Sequence, residues 1–427
     1  MNKKLPALRK ILFKALIFLL PTQLAYHFWP KWSFVFGIRI DYLSPAIFLT
    51  DIFILLILLL WFLDENRTKI VVKPLHILMI LSFIALNIFI AKNQQVAIFK
   101  WVKYIEIFSF ILYLTNEKKI DFYDWVVKPL SLSLLFFSLL GLTQFIFQRT
   151  IGGPFYLLGE RTFSASTPGI TLGNFLGRSL MLPYSTFSHP NSMAGFFLVS
   201  LLLVGKYLIK RPGFFEGLVI TASVSLILLS LSLAVFLSFF VVFLLWILIK
   251  IHPLNFKKVS KLLFWTIIIG GMLLLIILSK ATPGNFLLNE SWFKRVALTQ
   301  SALQMINKNF LFGTGLNNFI VGLPTYGATV GRLWWLQPVH NIFLLVFSET
   351  GILGLTPFVV ALNKILAGSF KKASLLFVLI AIMLTGTFDH YWLTLQQNLL
   401  LLSLATGFCL RKNQKLRAKL LEKWKTS

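Results

Sequence analysis

FFEGLVITASVSLILLSLSLAVFLSFFVVFLLWILI, residues 214–249, is an unbroken apolar run of 36 residues carrying one charge, Glu216. A helix needs about 20 apolar residues to cross the hydrocarbon of a bilayer, so this run is too long for one crossing and long enough for two. It predicts two transmembrane helices joined by a very tight turn near Ser230 and Ser232. Comparable runs recur on either side, near 11–28, 45–63, 72–91, 97–115, 126–147, 190–209, 262–279, 339–360, 373–388 and 391–410. Split near Ser230, the central run brings the expectation to about 12 crossings. The fold class expected is an all-α polytopic membrane protein with two long outer loops.

Composition agrees. Of 427 residues, 57% are hydrophobic and 13% charged, and Phe alone accounts for 44. Soluble domains average about 45–50% apolar and about 25% charged, so this chain cannot cover itself in water. The single Cys409 excludes a disulfide scaffold and a cysteine-based metal site. The first apolar segment has a basic flank, as a signal peptide does, but no small-residue cleavage site follows Leu24-Ala25-Tyr26, so it is expected to be retained.

A net charge of +27 suggests nucleic acid until the charges are located. With the N-terminus inside and sides alternating, inside segments hold 27 of the 41 Lys and Arg, against 11 outside and 3 within spans. That is the positive-inside asymmetry of a membrane protein with both termini inside, and it needs no nucleic acid partner. The organisation expected is one integral membrane domain over 1–427. It comprises a first outer loop at 149–189, mid-chain helices over 190–279, a large outer loop at 281–338, C-terminal helices over 339–410, and a basic cytoplasmic tail at 411–427 that meets anionic lipid.

The two long outer segments are where chemistry belongs, because long connections in a compact protein are usually functional. The first holds Gly159-Glu160-Arg161-Thr162-Phe163, Arg178, and Pro183 to Asn191 with His189, a hydroxyl- and amide-rich composition that suits sugars and equally suits an ordinary polar loop. In the second, Trp292, Val296, Leu303 and Ile306 recur at helical spacing and predict an amphipathic helix over 289–307, capped by Asn289. Arg295 lies within two turns of its start, where free N–H groups favour an anion or where a basic residue simply meets lipid headgroups. Gln337-Pro338-Val339-His340-Asn341 opens the tenth span, and a helix start favours a neutral His340 able to accept a proton. Asp389-His390 forms a second outer pair between the last two spans, readable also as turn chemistry. Lys100, Lys103 and Glu106 share one helix face, read as snorkelling lysines with Glu106 as partner. No phosphate-binding glycine loop, His-Glu-x-x-His or Asp-x-Asp metal pair is present, and nucleotide donors are normally lacking on the outer side.

His340-Asn341, nine residues, Gly351, two residues and Gly354 form a spacing similar to the signature of the O-antigen ligase and O-antigen polymerase superfamily. Arg295 followed by Gly313-Thr314-Gly315-Leu316-Asn317-Asn318-Phe319 resembles the same family's large-loop pattern. Weaker support comes from Asp41 to Pro45 with Thr50-Asp51, from Phe187 to Asn191, and from Phe388 to Tyr391. The resemblance covers most of the chain. It implies glycosyl transfer from a polyprenyl diphosphate-linked saccharide to a saccharide, lipid or protein acceptor hydroxyl, at the outer face of the cytoplasmic membrane, with no cofactor and no metal. By the same resemblance His340 is the catalytic residue, Arg295 binds the diphosphate, and Asn341, His189 and Asn191 position substrate. Two departures stand out. Family members usually carry Ser-Arg at a mid-chain outer turn where this sequence has Ser230-Leu231 and Ser232-Leu233, and Leu182 stands where an arginine commonly precedes Pro-Tyr-x-Thr-Phe. Arg178 and Arg161 are the candidate replacements. The competing classes are a lipid-linked saccharide transporter and a binding relative without activity.

Overall fold

The computed structural model describes residues 4–65, 67–68, 74–251, 256–280, 290–327, 335–370 and 373–411. The chain begins with helix α1 (Lys4–Phe18), followed by strands β1 (Ala25–His27), β2 (Phe34–Val35), β3 (Ile38–Arg39) and β4 (Ala46–Phe48). Helices α2 (Leu49–Phe62), α3 (Pro74–Phe89), α4 (Gln94–Asn116) and α5 (Lys128–Phe147) lead to a hairpin of β5 (Leu172–Phe175) and β6 (Arg178–Met181). Then come α6 (Pro190–Lys210), α7 (Phe214–Leu229), α8 (Leu233–Ile251), α9 (Phe256–Trp265) and α10 (Gly271–Lys280), the last two joined by a π-helical turn. The remainder is α11 (Glu290–Lys308), the short α12 (Phe319–Gly322), α13 (Ile342–Ser369), α14 (Ala373–Phe388), the short α15 (Tyr391–Thr394) and α16 (Gln396–Leu410).

Among the described residues, five helical stretches are long and apolar enough to cross a membrane: Tyr123–Phe147, Pro190–Lys210, Leu233–Ile251, Lys257–Ile277 and Ile342–Ser369. Leu49–Phe62, Pro74–Phe89, Phe214–Leu229 and Ser374–Phe388 are shorter and also apolar. The protein is thus mostly helical, with Phe239, Phe240, Phe243 and Trp246 of α8 exposed, as side chains facing lipid tails would be. The 214–249 run is two helices. Leu231 between them takes a left-handed conformation (φ 50°), and Ser230 accepts the Ser232 N–H at 3.3 Å while donating to the Ile227 carbonyl at 2.6 Å.

Three two-stranded antiparallel sheets, β1 with β4, β2 with β3 and β5 with β6, correct the all-α expectation. The expected first span at 11–28 is shortened for the same reason. Pro21 cannot donate a helical hydrogen bond, the helix stops at Phe18, and Ala25–His27 pairs instead with Ala46–Phe48, which also moves the start of the second helix to Leu49. The amphipathic helix of the large loop is present as α11, but it buries Leu298, Ala302, Met305 and Ile306, a face rotated from the expected one because the covering surface comes from α13 and Phe319 to Leu323. The proposed Asn289 cap and the tail beyond Arg411 lie outside the described residues.

Several buried charges are paired. Arg9, fully buried, reaches Asp64 at 3.0 Å and Glu117 at 2.7 Å, tying α1 to the ends of α2 and α4. Lys103 bridges Glu106 and Asp51, Gln396 donates to Thr50 and Asp51, and Lys100 donates to the Leu393 carbonyl. These lysines therefore serve α2–α4–α16 packing as well as reaching toward a helix end, and Asp51 is the partner sequence reading did not pair with them.

Helix α13 is broken at Gly351, whose φ of 64° and ψ of −170° lie outside the helical region. The break strands carbonyls that hydrocarbon cannot satisfy, and residues 310–315 run alongside to supply partners. Thr314 N–H donates to Ser348 O (2.9 Å), Gly315 N–H to Glu349 O (3.0 Å), and Ile352 N–H to Phe310 O (2.9 Å). A Cβ on Gly313 would lie 2.4 Å from the Glu349 carbonyl carbon, so the two glycine motifs of the sequence are halves of one backbone junction.

Candidate functional site

Five segments far apart in sequence converge at one end of the bundle. Asn341 is the N-cap of α13: its Oδ1 accepts from Phe343 N–H (2.8 Å) and Leu344 N–H (2.9 Å), and its Nδ2 donates to Thr387 O (3.0 Å). A buried amide engaged in this way holds α13 against α14 and fixes the position of His340. The cap places His340 immediately before the helix, facing the turn that follows α14.

There the His340 Nδ1 lies 3.5 Å from Asp389 Oδ1, and the His340 and His390 rings are 5.2 Å apart. At 3.5 Å the first contact is longer than an ordinary hydrogen bond, and neither ring nitrogen of His340 has a hydrogen-bond partner among the described residues. His390 N–H donates to Asp389 Oδ1 at 2.8 Å, its Nδ1 lies 2.7 Å from Thr394 Oγ1, and the Tyr42 ring packs edge-on against it at 5.5 Å. Burial lowers the affinity of both imidazoles for a second proton, that of His390 to about 3, with Asp389 opposing. Burial alone would raise the Asp389 carboxyl. The His340 contact, with the fields of His340, His390 and Arg295, outweighs it and holds Asp389 well below the usual carboxylate range. The charge state that follows is an ionised Asp389 beside neutral histidines, balanced by Arg295. Depression of His340 therefore comes mainly from burial and nearby cations, Arg295 and Lys294, while the expected cause was the helix start.

Arg295 is the sixth residue of α11, half-buried, and its field falls on His340, Asp389 and His189. Arg161 extends from the 149–189 loop, donates to Ser188 O at 2.8 Å, and acts on Tyr42. It is thus on the histidine side of the structure. Arg178 is not. It closes hairpin β5–β6 opposite Phe175 and is exposed, four residues along the strand from Thr171 beside His189, roughly 13 Å at about 3.3 Å per residue. Leu233, in the missing-arginine position, is exposed at the start of α8, and Leu182 is buried.

His189 is the N-cap of α6. Its Nδ1 accepts the Asn191 N–H at 3.1 Å, so Nε2 carries the proton and faces Thr171 Oγ1 at 3.3 Å. Burial among the surrounding segments lowers its pKa, Asp389 opposing. The ring keeps an open face to solvent, and the cap, which an imidazolium could not accept, is the stronger reason for its neutrality. His189 and the Asn191 backbone N–H thus start α6 together. The polar loop before them is likewise engaged internally. Buried Glu160 accepts from Gln144 Nε2 (2.7 Å), Ile151 N–H (2.8 Å) and Gly152 N–H (2.7 Å).

Asp389, His390, Thr394 and Tyr42 are the site residues that spacing alone did not select. The one available signal was an Asp-His pair ahead of an apolar span. No curated protein matches the chain. The family model described as O-antigen ligase matches residues 217–359, a stretch running from α7 past the Gly351 break and including Arg295 and His340. Over those residues the chain is similar to the O-antigen ligase family.

Proposed function

We propose that the protein is a membrane glycosyltransferase of the ligase or polymerase type, moving a saccharide from a polyprenyl diphosphate carrier to an acceptor hydroxyl at the outer face of the cytoplasmic membrane. The observation that carries the reading is a neutral His340 whose Nδ1 stands 3.5 Å from ionised Asp389 under the field of Arg295. Asp389 favours the tautomer with the proton on His340 Nδ1, which leaves Nε2 to take the acceptor hydroxyl proton as the new glycosidic bond forms. The leaving diphosphate develops charge, and Arg295 with Arg161 would hold it through charge-assisted hydrogen bonds in a partly dry site. Ligase and polymerase share this chemistry and differ in the acceptor. Twelve crossings with both ends inside fit the charge asymmetry and put this end of the bundle outside.

The test is transfer in proteoliposomes from a defined polyprenyl diphosphate saccharide to candidate acceptors. His340→Ala is expected to lose about 100- to 10,000-fold in turnover, the usual contribution of a positioned base, with donor binding retained. Asp389→Asn keeps the shape and loses the orienting charge, so its loss should be smaller. Near-normal turnover by well-folded His340→Ala would overturn the assignment.

A further inference from the structure

The Thr394 hydroxyl donates to the His390 carbonyl at 3.1 Å, so toward the His390 ring it can only accept. The tautomer that satisfies both contacts carries the His390 proton on Nδ1, and in it Nε2 turns a lone pair toward Asp389 Oδ1, 3.9 Å away. A carboxylate and an imine nitrogen face each other with no hydrogen between them. The His340 Nδ1 completes the group, and the three ligand atoms all lie within 4.8 Å of one another. Ligands on a tetrahedral zinc ion at about 2.0–2.2 Å stand roughly 3.3 Å apart, so the 3.5 and 3.9 Å edges and a third edge within 4.8 Å must contract to close on one ion. The Nδ1–H of His390, held by Thr394 at 2.7 Å, is the outer hydrogen bond that metal-binding histidines characteristically make.

We propose that His340 Nδ1, Asp389 Oδ1 and His390 Nε2 form a three-ligand zinc site whose occupation switches the proposed transfer reaction off. Zinc on Nδ1 of His340 requires the imidazole proton to sit on Nε2. No proton is released, but the lone pair that would accept the hydroxyl proton is gone. This inhibitory consequence rests on the proposed role of His340; the binding itself does not. Arg295 and Lys294 oppose a dication, and the imidazole pair selects zinc over magnesium.

The experiment is calorimetric titration of the purified full chain in nanodiscs with zinc chloride, with magnesium chloride as the hard-cation arm, followed by X-ray absorption at the zinc edge and by the transfer assay. One zinc per chain is expected, with two imidazole nitrogens and one carboxylate oxygen as ligands, and no magnesium binding. His390→Gln and Asp389→Asn should each weaken zinc at least tenfold while eluting as folded protein; should either fail to fold, Thr394→Val, which frees the His390 tautomer, should weaken it too. Absent zinc binding, or equal binding by wild type and His390→Gln, overturns the site. Stoichiometric zinc that leaves transfer unchanged would refute the switch and the proton-accepting role of His340 together, with the site itself upheld by the absorption spectrum.

Discussion

Gly351 and Leu311 meet backbone to backbone: a Cβ on Gly351 would stand 2.3 Å from the Leu311 carbonyl oxygen. The contact joins the break in α13 to the segment just after α11, and so connects the helix bearing Arg295 with the helix that presents His340. Gly351→Ala should be severely destabilising. A strained left-handed position costs about 1–3 kcal/mol, and overpacking adds about 1–3 kcal/mol. Thermal unfolding in detergent, with limited proteolysis around Phe310 to Thr314, should show an early transition; an unchanged Tm would remove the junction from its structural role.

Asn341→Ala should behave as a lost helix cap. About 0.5–2 kcal/mol of stability goes with the cap, and about 1 kcal/mol with the hydrogen bond to Thr387. Asn341→Asp keeps the cap but cannot donate to Thr387 O, so it should recover part of the loss. His340→Ala, by contrast, should barely move the Tm. Equal stability of Asn341→Ala and wild type would overturn the capping role.

Arg161→Gln and Arg295→Gln should each weaken binding of a polyprenyl diphosphate donor by one charged hydrogen bond, about 1.5–3 kcal/mol. Arg178→Gln should leave it unchanged, because its hairpin carries it away from the histidines. Donor affinity measured by fluorescence titration separates these outcomes. Loss in Arg178→Gln alone would show the wrong arginine has been chosen.

The folded-state pKa of His189 is below its unfolded value near 6.5, so the unfolded chain binds the proton first. Stability from the neutral cap is therefore complete above about pH 6.5 and declines as pH falls toward the folded-state value. His189→Asn, which caps with a carbonyl oxygen and does not titrate, should flatten this part of the profile relative to wild type. Parallel curves for the two proteins between pH 7 and pH 5 would exclude His189 as the titrating cap.

Cysteine labelling tests the orientation. Ser232 and Ser301 are buried, so probes belong at exposed neighbours, Leu233 and Asn307, with Lys118 for the opposite side. In a variant lacking Cys409, Leu233→Cys and Asn307→Cys should react with an impermeant maleimide in intact cells, and Lys118→Cys only after lysis. Reaction of Lys118→Cys in intact cells would overturn the twelve-span arrangement.

Helix order was legible in the sequence because an apolar stretch in a bilayer must satisfy its own backbone, so the 214–249 run had to be two helices turning near Ser230. His340 and Arg295 were legible as candidates from spacing and placement at helix starts. Their partners were not. Asp389 and His390 lie about fifty residues further along the chain than His340, and only the packing of α13 on α14, fastened by Asn341 and Thr387, brings them within reach. The same holds for Gly313 and Gly351, each readable alone as a turn former. Which atoms fill the space a missing Cβ leaves is decided by chain segments that local sequence does not specify. Arg161 and Arg178 were equivalent in sequence, two cations on one polar loop. The β5–β6 register sends one out along a hairpin, and the hydrogen bond to Ser188 keeps the other beside the histidines.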